Sequence, residues 1–507
     1  MKTFRIIVVV VALALSSFGN AQSKPVEYLE VIDALGLDDL RTTMLGVVSH
    51  GLNPKSYWSD NMEQLYQQGG AANPLLKTQA NENYLRLLKD ISLGVVNPES
   101  MGVDVKLKRK IFLTAPQLKV LLLASGNQAT PLLESLAPQI APYIALKESL
   151  RKLTDYCNQG QWEPLPAVKK EIKPGGANAA LPAMKNRLRQ LGYNVPSVDE
   201  IFDEATVAAV NDVQWMLKIK PDGKISPNGK TWKYLNVSCQ DRARQVRLDL
   251  EKLRWFPQNF EDRYIFINLA MAYFSLVDKT GSSLYTMSFR TINGRAARKS
   301  PTMKDKIVYI VINPFWVVPP TIFREDKVEE IRNLPPWEVA NYFQTRNYEV
   351  WNHSFTQRID PTTIDWQNLD PNMDEQIYIR QKPNYMNALG VLKFMMTNSY
   401  AIYLHDTNQR ELFAEPQRLL SSGCVRMERP LDLAEYLLQG TPWTREMIER
   451  YMAKPGEVLE TETRVALKQS MPVYMAFLTS QLSSDGVLRF VDDTYNQGRR
   501  LLRQGAW

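Results

Sequence analysis

The sequence is poor in the residues that build metal sites and disulfide frameworks. Its 507 residues include only three cysteines and three histidines. Three cysteines cannot form a disulfide scaffold in a chain of this length, and no CxxC or HxxxH spacing indicates a zinc site. We therefore expect neither a metal nor a cofactor. The odd count leaves at least one thiol without an intramolecular partner, and Cys157 and Cys239 could either pair or stay reduced.

Long apolar runs are also scarce. The run from Ile6 to Leu15 has ten residues, whereas a helix that crosses a bilayer needs about 20. Lys2 and Arg5 precede this run, and the small residues of Gly19-Asn20-Ala21 follow it. This layout predicts a cleavable signal peptide over residues 1–21, with an uncleaved membrane anchor as the alternative. We expect an exported, periplasmic protein without stable membrane insertion.

Charge of one sign is not concentrated anywhere in the chain. Lys and Arg number 61 against 54 Asp and Glu, which gives a net charge of +7. A nucleic-acid-binding protein usually carries a basic stripe or a recognisable reading motif, and the sequence has neither. We therefore exclude nucleic acid as a partner. The mild positive balance is compatible with an anionic partner that carries carboxylates.

The patterning divides the chain into several domains. Apolar residues at three- and four-residue spacing predict a helical domain over residues 25–163, in which no catalytic chemistry is visible. A Pro-, Gly- and Ala-rich stretch over 164–180 predicts a linker. Residues 181–237 then predict a small bundle of three short helices. The stretch RARQVRLDLEKLRWF that follows is interpreted as an amphipathic helix.

A mostly antiparallel β domain is predicted over residues 243–455. The runs RYIFINLA, SLYTMSFRTI and KIVYIVINPFWVV are rich in β-branched and aromatic residues, with turn-forming residues between them. A polar stretch rich in Trp and Asn interrupts this texture over about 324–384 and reads as an insertion. Residues 456–507 hold a final predicted hairpin, MPVYMAFLTSQLSSDGVLRFVDD, and a tail that packs on the rest. The predicted fold class is thus multidomain α+β.

One short stretch, YLHDTNQRELFAEPQRLLSSGCVRM, contains both a histidine and a cysteine. YAIYLHDT predicts a strand that ends at His405, and SSGCVRM predicts a tight turn at Gly423 that leads into a second strand. If the strand ends meet, the imidazole lies near the thiol of Cys424, and an imidazolium there would lower the pKa of the thiol. The backbone N–H groups of Gly423 and Cys424 suit an oxyanion. A structural role for both side chains remains the alternative.

Several motifs carry a resemblance to a known family. HDT followed by SSGCVR resembles the signature of L,D-transpeptidases with a YkuD-type catalytic domain. SPT, NPFWVVPPTI, QKPNYMNALGVLKF and YLHDT resemble the large YcbB-like branch. LRQLGY, FDEATVAAVNDVQ and DGKIS make residues 181–237 similar to a three-helix peptidoglycan-binding domain. HGLNPKSYW resembles the helical scaffold domain of that branch, and the 324–384 insertion resembles its capping subdomain.

The resemblance implies a function in the bacterial cell wall. Members of the family form 3→3 cross-links in peptidoglycan through a cysteine thioester with a tetrapeptide stem, and they release D-alanine. Cys424 would be the nucleophile and His405 the base. The backbone carbonyl of Asp406 would orient His405, and the N–H groups of Gly423 and Cys424 would form the oxyanion hole.

The resemblance also indicates substrate contacts and partners. The expected substrate-binding residues are Arg426, Ser422, Tyr403, Trp316 and Asn387. Arg426 would hold a substrate carboxylate or pin the turn through backbone carbonyls, and Trp316 would line the cleft or belong to the core. The expected partners are a tetrapeptide donor stem and a diamino-acid acceptor stem, with cell-wall synthases as further candidates. Inhibition by carbapenems is also implied.

Two further functions use the same residues differently. The family pattern has a second histidine at the position of Ser422, so His405 is left as the candidate base. An L,D-carboxypeptidase would trim tetrapeptide stems with the same pair. A cell-wall-binding scaffold with a vestigial cysteine is the non-catalytic alternative.

Overall fold

A computed structural model of the protein describes residues 23–70, 73–370, 372 and 376–505. The predicted signal peptide lies outside these residues. The chain divides into two compact units, one made of residues 1–260 and 476–507 as far as they are described, and the other of residues 261–475. No helix of the described ranges is both long enough and apolar enough to cross a membrane.

The N-terminal part of the first unit is helical, as predicted. Its α-helices are α1 Pro25–Ile32, α2 Leu37–Gly46, α3 Asp60–Gln67, α4 Pro74–Leu93, α5 Ala115–Ala124, α6 Ala129–Leu136 and α7 Ala141–Asn158. The side chain of Asn73 caps α4 by accepting hydrogen bonds from the first-turn N–H groups. The inward faces supply fully buried residues such as Leu40, Tyr84, Leu88 and Leu118.

The predicted bundle of three short helices is also present. It consists of α8 Leu181–Gln190, α9 Glu204–Met216 and α10 Lys230–Leu235. Asp203 caps α9 through the N–H group of Thr206. The buried ammonium of Lys185 pairs with the carboxylates of Asp199 and Asp203 at 2.7 and 2.6 Å.

Helix α11, Cys239–Arg254, differs from the amphipathic helix that the sequence suggested. The ion pairs Asp249–Lys252 and Glu251–Arg254 are 2.8 and 2.7 Å long, and all four side chains are buried. Charged residues three positions apart neutralise each other on the same helix face, so the polar face can turn inward.

Contacts of α11 place it in the first unit, although the predicted β domain began at residue 243. The carboxylate of Glu251 accepts a hydrogen bond from the N–H group of Val96 at 2.9 Å. The carboxylate of Asp249 accepts one from the N–H group of Ser480 at 2.7 Å. The helix therefore joins the N-terminal helices to the C-terminal segment, because its buried carboxylates need partners from both.

The second unit is built on one large sheet. The strands of this unit are β1 Arg263–Asn268, β2 Tyr273–Asp278, β3 Tyr285–Gly294, β4 Met303–Ile312, β5 Trp316–Val317, β6 Tyr348–Asn352, β7 Arg358–Ile359, β8 Ile377–Gln381, β9 Leu392–Met396, β10 Leu404–His405, β11 Leu419–Ser421, β12 Val425–Met427 and β13 Thr463–Ala476. The large sheet has the order β11-β3-β12-β10-β9-β4-β13-β1-β2, and β2 also pairs with β3, so it closes on itself. Most pairs are antiparallel, whereas β10–β12 and β11–β3 are parallel.

The predicted insertion forms a separate layer with its own core. Strands β5, β8, β6 and β7 pair in that order. The helices between β5 and β6 are α12 Pro320–Ile322, a π-helical turn Phe323–Lys327, α13 Val328–Arg332 and α14 Val339–Thr345. The core includes Phe323, Phe343, Val350 and Ile379, and Tyr403 joins it from the large sheet.

The C-terminal hairpin is shorter than predicted. After α15 Pro430–Leu437 and α16 Arg445–Tyr451, the chain enters β13, whose residues Met471–Met475 pair with β4. The hairpin itself consists of β14 Ser480–Leu482 and β15 Leu488–Phe490, followed by α17 Gln497–Arg503. The expected turn is present, since Gly486 N–H donates to the carbonyl of Ser483. The first half of the predicted hairpin thus belongs to the large sheet of the second unit.

The cysteines that the sequence left open are paired. Cys157 at the end of α7 and Cys239 at the start of α11 form a disulfide across 82 residues of sequence. Cys424 is the free cysteine.

We expect the paired change Cys157→Ser with Cys239→Ser to destabilise the first unit by about 2–5 kcal/mol, because it restores freedom to a long loop of the unfolded chain. Thermal unfolding at fixed pH measures the effect. Cys424→Ala is the matched control, since it removes a cysteine and leaves the disulfide intact. Equal unfolding temperatures for the paired variant and the control would contradict the expectation.

Candidate active site

The pairing of β10 with β12 brings together the two residues singled out in the sequence. The strands are parallel, with Leu404 opposite Val425 and His405 opposite Arg426. Arg426 therefore shares the sheet face of His405. Cys424 directly precedes β12 and packs against the cluster of Tyr403, whose ring centroid lies 5.6 Å from that of His405, so the thiol lies on the same side. Leu404 and Val425 are fully buried on the other face.

The imidazole of His405 is held in one tautomer. Its Nδ1 lies 2.5 Å from the backbone carbonyl oxygen of Asp406. A carbonyl oxygen can only accept, so Nδ1 carries the hydrogen and Nε2 is left with a lone pair that can accept a proton. The structure thus contains the contact between His405 and the Asp406 carbonyl that the sequence reasoning proposed.

The side chain of Asp406 anchors that carbonyl, a function that sequence reasoning missed. Its carboxylate is buried and accepts hydrogen bonds from Val391 N–H at 3.0 Å and from Arg410 at 2.6 Å. The loop before β9 comes closest to the Asp406 carboxylate at Gly390, which has φ +60°. A Cβ at this position would collide with that carboxylate. The glycine of NALG in the sequence was the available signal.

The thiol of Cys424 lies at the boundary between the sheet and the insertion. It is partly exposed and packs against the core of the insertion. Its Sγ is 3.5 Å from the carbonyl oxygen of Ala401. Tyr403 is almost fully buried and belongs to the cluster against which Cys424 packs. Tyr403 was predicted to bind substrate, and in this structure it lies beside the proposed nucleophile.

A lysine absent from the predicted set completes this face. Lys393 in β9 is the antiparallel pairing partner of His405 in β10, so the two residues are direct neighbours on adjacent strands. Its Nζ lies 4.0 Å from the centroid of the Tyr403 ring. The signal in the sequence was a single charged residue within the apolar run GVLKFMM.

Burial sets the charge state of the pair. It lowers the pKa of His405 to about 3, and the neighbouring positive charges of Arg426 and Lys393 act in the same direction. Burial raises the pKa of the Cys424 thiol, although hydrogen bonds from Tyr403 and the charge of Lys393 partly offset it. The resting pair is therefore a neutral thiol and a neutral imidazole. The sequence suggested an imidazolium–thiolate pair, whereas a buried site disfavours both charged forms.

The predicted oxyanion hole is only partly available. Gly423 has φ +120° and donates its N–H to the Oγ of Ser421 at 3.2 Å. Ser421 Oγ in turn donates to the carbonyl of Cys424 at 2.6 Å. The Gly423 N–H, which was predicted to receive an oxyanion, is thus engaged by Ser421 in this structure, and its function toward an oxyanion stays a prediction. Among the described residues the N–H of Cys424 has no acceptor.

Two predicted substrate-binding residues prove to be structural. Asn387 is fully buried, donates to the carbonyls of Pro314 and Lys382, and accepts from the N–H of Leu389. Its amide has no surface to offer a substrate. Trp316 is 8% exposed and belongs to the core of the insertion, so of its two proposed roles the structure favours the core.

Two others remain accessible near the thiol. Ser422 is exposed, and its Oγ accepts a hydrogen bond from Arg298 at 3.0 Å. Arg298 also pairs with Asp326 of the π-helical turn at 2.6 Å, so it links the insertion to the Cys424 loop. Arg426 is half-buried and donates to the side chain of Gln409 at 2.8 Å, which leaves other guanidinium N–H groups for a ligand.

The two remaining histidines are engaged elsewhere. His353 is exposed in the insertion and stacks on Tyr378. His50 is buried in the first unit and contacts Tyr143 and Glu134 at 3.1 and 3.0 Å. Across residues 23–70, 73–370, 372 and 376–505, no group of three or more His, Cys, Asp or Glu side chains is arranged to hold a metal ion.

Comparison with known families matches three parts of the chain. Residues 262–444 match the YkuD family, the L,D-transpeptidase catalytic domain. Residues 34–150 match the scaffold domain, and residues 178–234 match a family described as "Putative peptidoglycan binding domain". The chain therefore carries a YkuD-type L,D-transpeptidase catalytic domain together with a peptidoglycan-binding domain and a helical scaffold domain.

A curated relative from Haemophilus influenzae, named "Putative L,D-transpeptidase", is 30% identical over 259 residues. The match covers 51% of this chain, and the chain spans about half of that relative, 49% of its length. Among solved structures, the L,D-transpeptidase (residues 123–326) from Xylanimonas cellulosilytica aligns with 61% of this chain and 100% of its own, at 12% identity and a TM-score of 0.19. A fused Zn-dependent amidase/peptidase/peptidoglycan-binding domain-containing protein from Clostridium acetobutylicum aligns with 61% of this chain and 99% of its own, at 12% identity and a TM-score of 0.16. Scores this low establish no common fold.

We expect alkylation of Cys424 by neutral iodoacetamide to accelerate through the alkaline range, with a midpoint above about pH 8.5. The reason is that burial raises the pKa of the thiol, while His405, with a pKa of about 3, stays neutral above pH 4. Intact-mass kinetics between pH 5 and 10 measure the profile. A rate that is already maximal at pH 6 would indicate an imidazolium–thiolate pair and contradict the neutral resting state.

We expect Gly390→Ala to destabilise the protein more than Gly456→Ala. Both glycines have positive φ, which costs alanine about 1–2 kcal/mol. Only at Gly390 would the added Cβ also strike a neighbour, the Asp406 carboxylate, whereas nothing lies within 4 Å at Gly456. The unfolding temperature and the turnover rate should both fall further for Gly390→Ala, because the backbone carbonyl of Asp406, which orients His405, would move. Equal effects of the two changes would contradict the anchoring function of Asp406.

Proposed function

We propose that the protein is a cysteine L,D-transpeptidase that forms 3→3 cross-links between peptidoglycan stems. The observation that carries the proposal is the free thiol of Cys424 on the sheet face of His405, within the segment that matches the L,D-transpeptidase catalytic domain. The peptidoglycan-binding domain supports a wall substrate.

Acylation follows from the neutral resting pair. Nε2 of His405 accepts the thiol proton as Sγ of Cys424 attacks the carbonyl carbon of the third stem residue. The N–H of Cys424 donates to the oxyanion of the tetrahedral intermediate. The amide C–N bond to the terminal D-alanine then breaks, and the imidazolium returns the proton to the departing amine. The product is a thioester and free D-alanine.

Transfer uses the same groups in reverse. The side-chain amine of a diamino acid in a second stem attacks the thioester carbon, His405 takes a proton from that amine, and the C–S bond breaks. The sulfur leaves as a thiolate and regains a proton from the imidazolium. Arg426, whose guanidinium is half-buried on this face, is the proposed ligand of a stem carboxylate, and the exposed Ser422 is a proposed neighbour of the stem.

Water is the competing acceptor, and its attack would give the L,D-carboxypeptidase product. Cys424 packs against the apolar core of the insertion, which includes Tyr403, Leu389 and Trp316. An apolar wall excludes water from one side of the thioester. This contact favours transfer to an amine over hydrolysis.

The proposed location is the periplasm. Wall substrates lie outside the cytoplasm, and the Cys157–Cys239 disulfide suits an oxidising compartment. Acylation of Cys424 by carbapenems and association with cell-wall synthases are parts of the same proposal.

The test uses mature protein, wild type and Cys424→Ala, with purified disaccharide-tetrapeptide. We expect a wild-type adduct on Cys424 by intact mass and a 3→3 linked dimer by muropeptide separation, and a loss of at least about 10⁴-fold in the variant. Tripeptide without dimer would establish a carboxypeptidase. If neither product forms and both proteins still bind sacculi, the wall-binding scaffold is the correct function.

A further inference from the structure

The sheet face that carries the proposed nucleophile also carries an ammonium group. Lys393 is half-buried in β9, directly opposite His405 in the adjacent strand β10. The Nζ lies 4.0 Å from the centroid of the Tyr403 ring. Tyr403 in turn belongs to the cluster against which Cys424 packs. An ammonium, an aromatic ring and a thiol thus follow one another across the face.

This ammonium has no local carboxylate as a partner. Among the described residues, Lys393 forms no ion pair within 4.0 Å and no hydrogen bond through its side chain. Several charged or titratable groups on the surrounding segments interact electrostatically with Lys393 or with the thiol. They are Tyr403, His405, Cys424, Arg426, Glu462 and Arg464. A half-buried cation without a carboxylate in contact is costly unless a negative charge forms nearby.

We propose that Lys393 is a positioning residue that stabilises the thiolate of Cys424 by its charge and through the ring of Tyr403. The proposal concerns the nucleophile of the proposed function and rests on it.

Two physical effects act in the same direction. The positive charge attracts the negative charge that develops on sulfur, and partial burial leaves this attraction stronger than it would be in water. A cation is also attracted to the face of an aromatic ring, so the Tyr403 ring holds the ammonium on the face where Cys424 packs.

His405 cannot provide this charge in the resting state, because burial lowers the pKa of its imidazole to about 3. Once it has accepted the thiol proton, His405 is an imidazolium beside Lys393 and Arg426. The like charges make that imidazolium a strong acid, so it returns the proton readily to the departing amine. Lys393 therefore favours the thiolate and the later proton donation, while the same charge makes His405 a weaker base in the first proton transfer.

The experiment measures the pH dependence of Cys424 alkylation by iodoacetamide, read by intact mass on the full protein. Lys393→Met should raise the apparent pKa of the thiol by about one unit, which slows alkylation at neutral pH roughly tenfold. Lys393→Arg keeps the charge and should stay within about threefold of wild type. Lys306→Met, which removes an exposed lysine from the neighbouring strand β4, should not change the profile.

An unchanged profile in Lys393→Met, or an equal loss in Lys393→Arg, would overturn the proposal. If Lys393→Met does not fold, Lys393→Gln gives the same comparison with a polar side chain of similar length. Iodoacetamide needs no peptidoglycan substrate, so this result is independent of whether 3→3 cross-links are formed. A pKa shift with no cross-linked product would uphold the function of Lys393 while the proposed reaction failed.

Discussion

The parallel pairing of β10 with β12 is the interaction on which the site depends. It places His405 opposite Arg426 and so brings Cys424, nineteen residues later in the chain, onto the same sheet face. A shift of one residue in this register would turn the thiol and the imidazole to opposite faces. The surrounding loops support this register. The hydroxyl of Ser421 donates a hydrogen bond to the carbonyl of Cys424 within the turn, and the Asp406 carboxylate at the end of β10 accepts one from the N–H of Val391 just before β9.

Burial then decides which charges the site can carry. The insertion covers one side of the thiol with an apolar core, and the sheet covers the imidazole. Both groups are neutral at rest as a consequence, and the permanent charges on the face are those of Lys393 and Arg426. In the proposed reaction this arrangement would favour negative charge as it develops on sulfur and oxygen, with His405 as a neutral base.

The sequence predicted elements whose patterns are local. Strands β1 to β4 follow runs of β-branched and aromatic residues, and helices α8 to α10 follow apolar spacing, with a side-chain cap at Asp203 of α9. It misread α11 as amphipathic, because the buried Glu251 and Arg254 have, besides each other, backbone partners at Val96 and His50 that lie far away in the chain. It also misread Asn387, whose amide serves three backbone groups that only the folded loop brings near.

The sequence by itself determined the α+β domain organisation and singled out the proposed reactive pair, since a histidine and a cysteine at strand ends are signals that lie within a few residues. The tertiary structure alone decided the charge state of that pair, the pairing of Cys157 with Cys239, and the placement of Lys393 beside His405. These depend on which strands become neighbours and on how much water is excluded. Such quantities arise from contacts between distant segments and leave no pattern within any one of them.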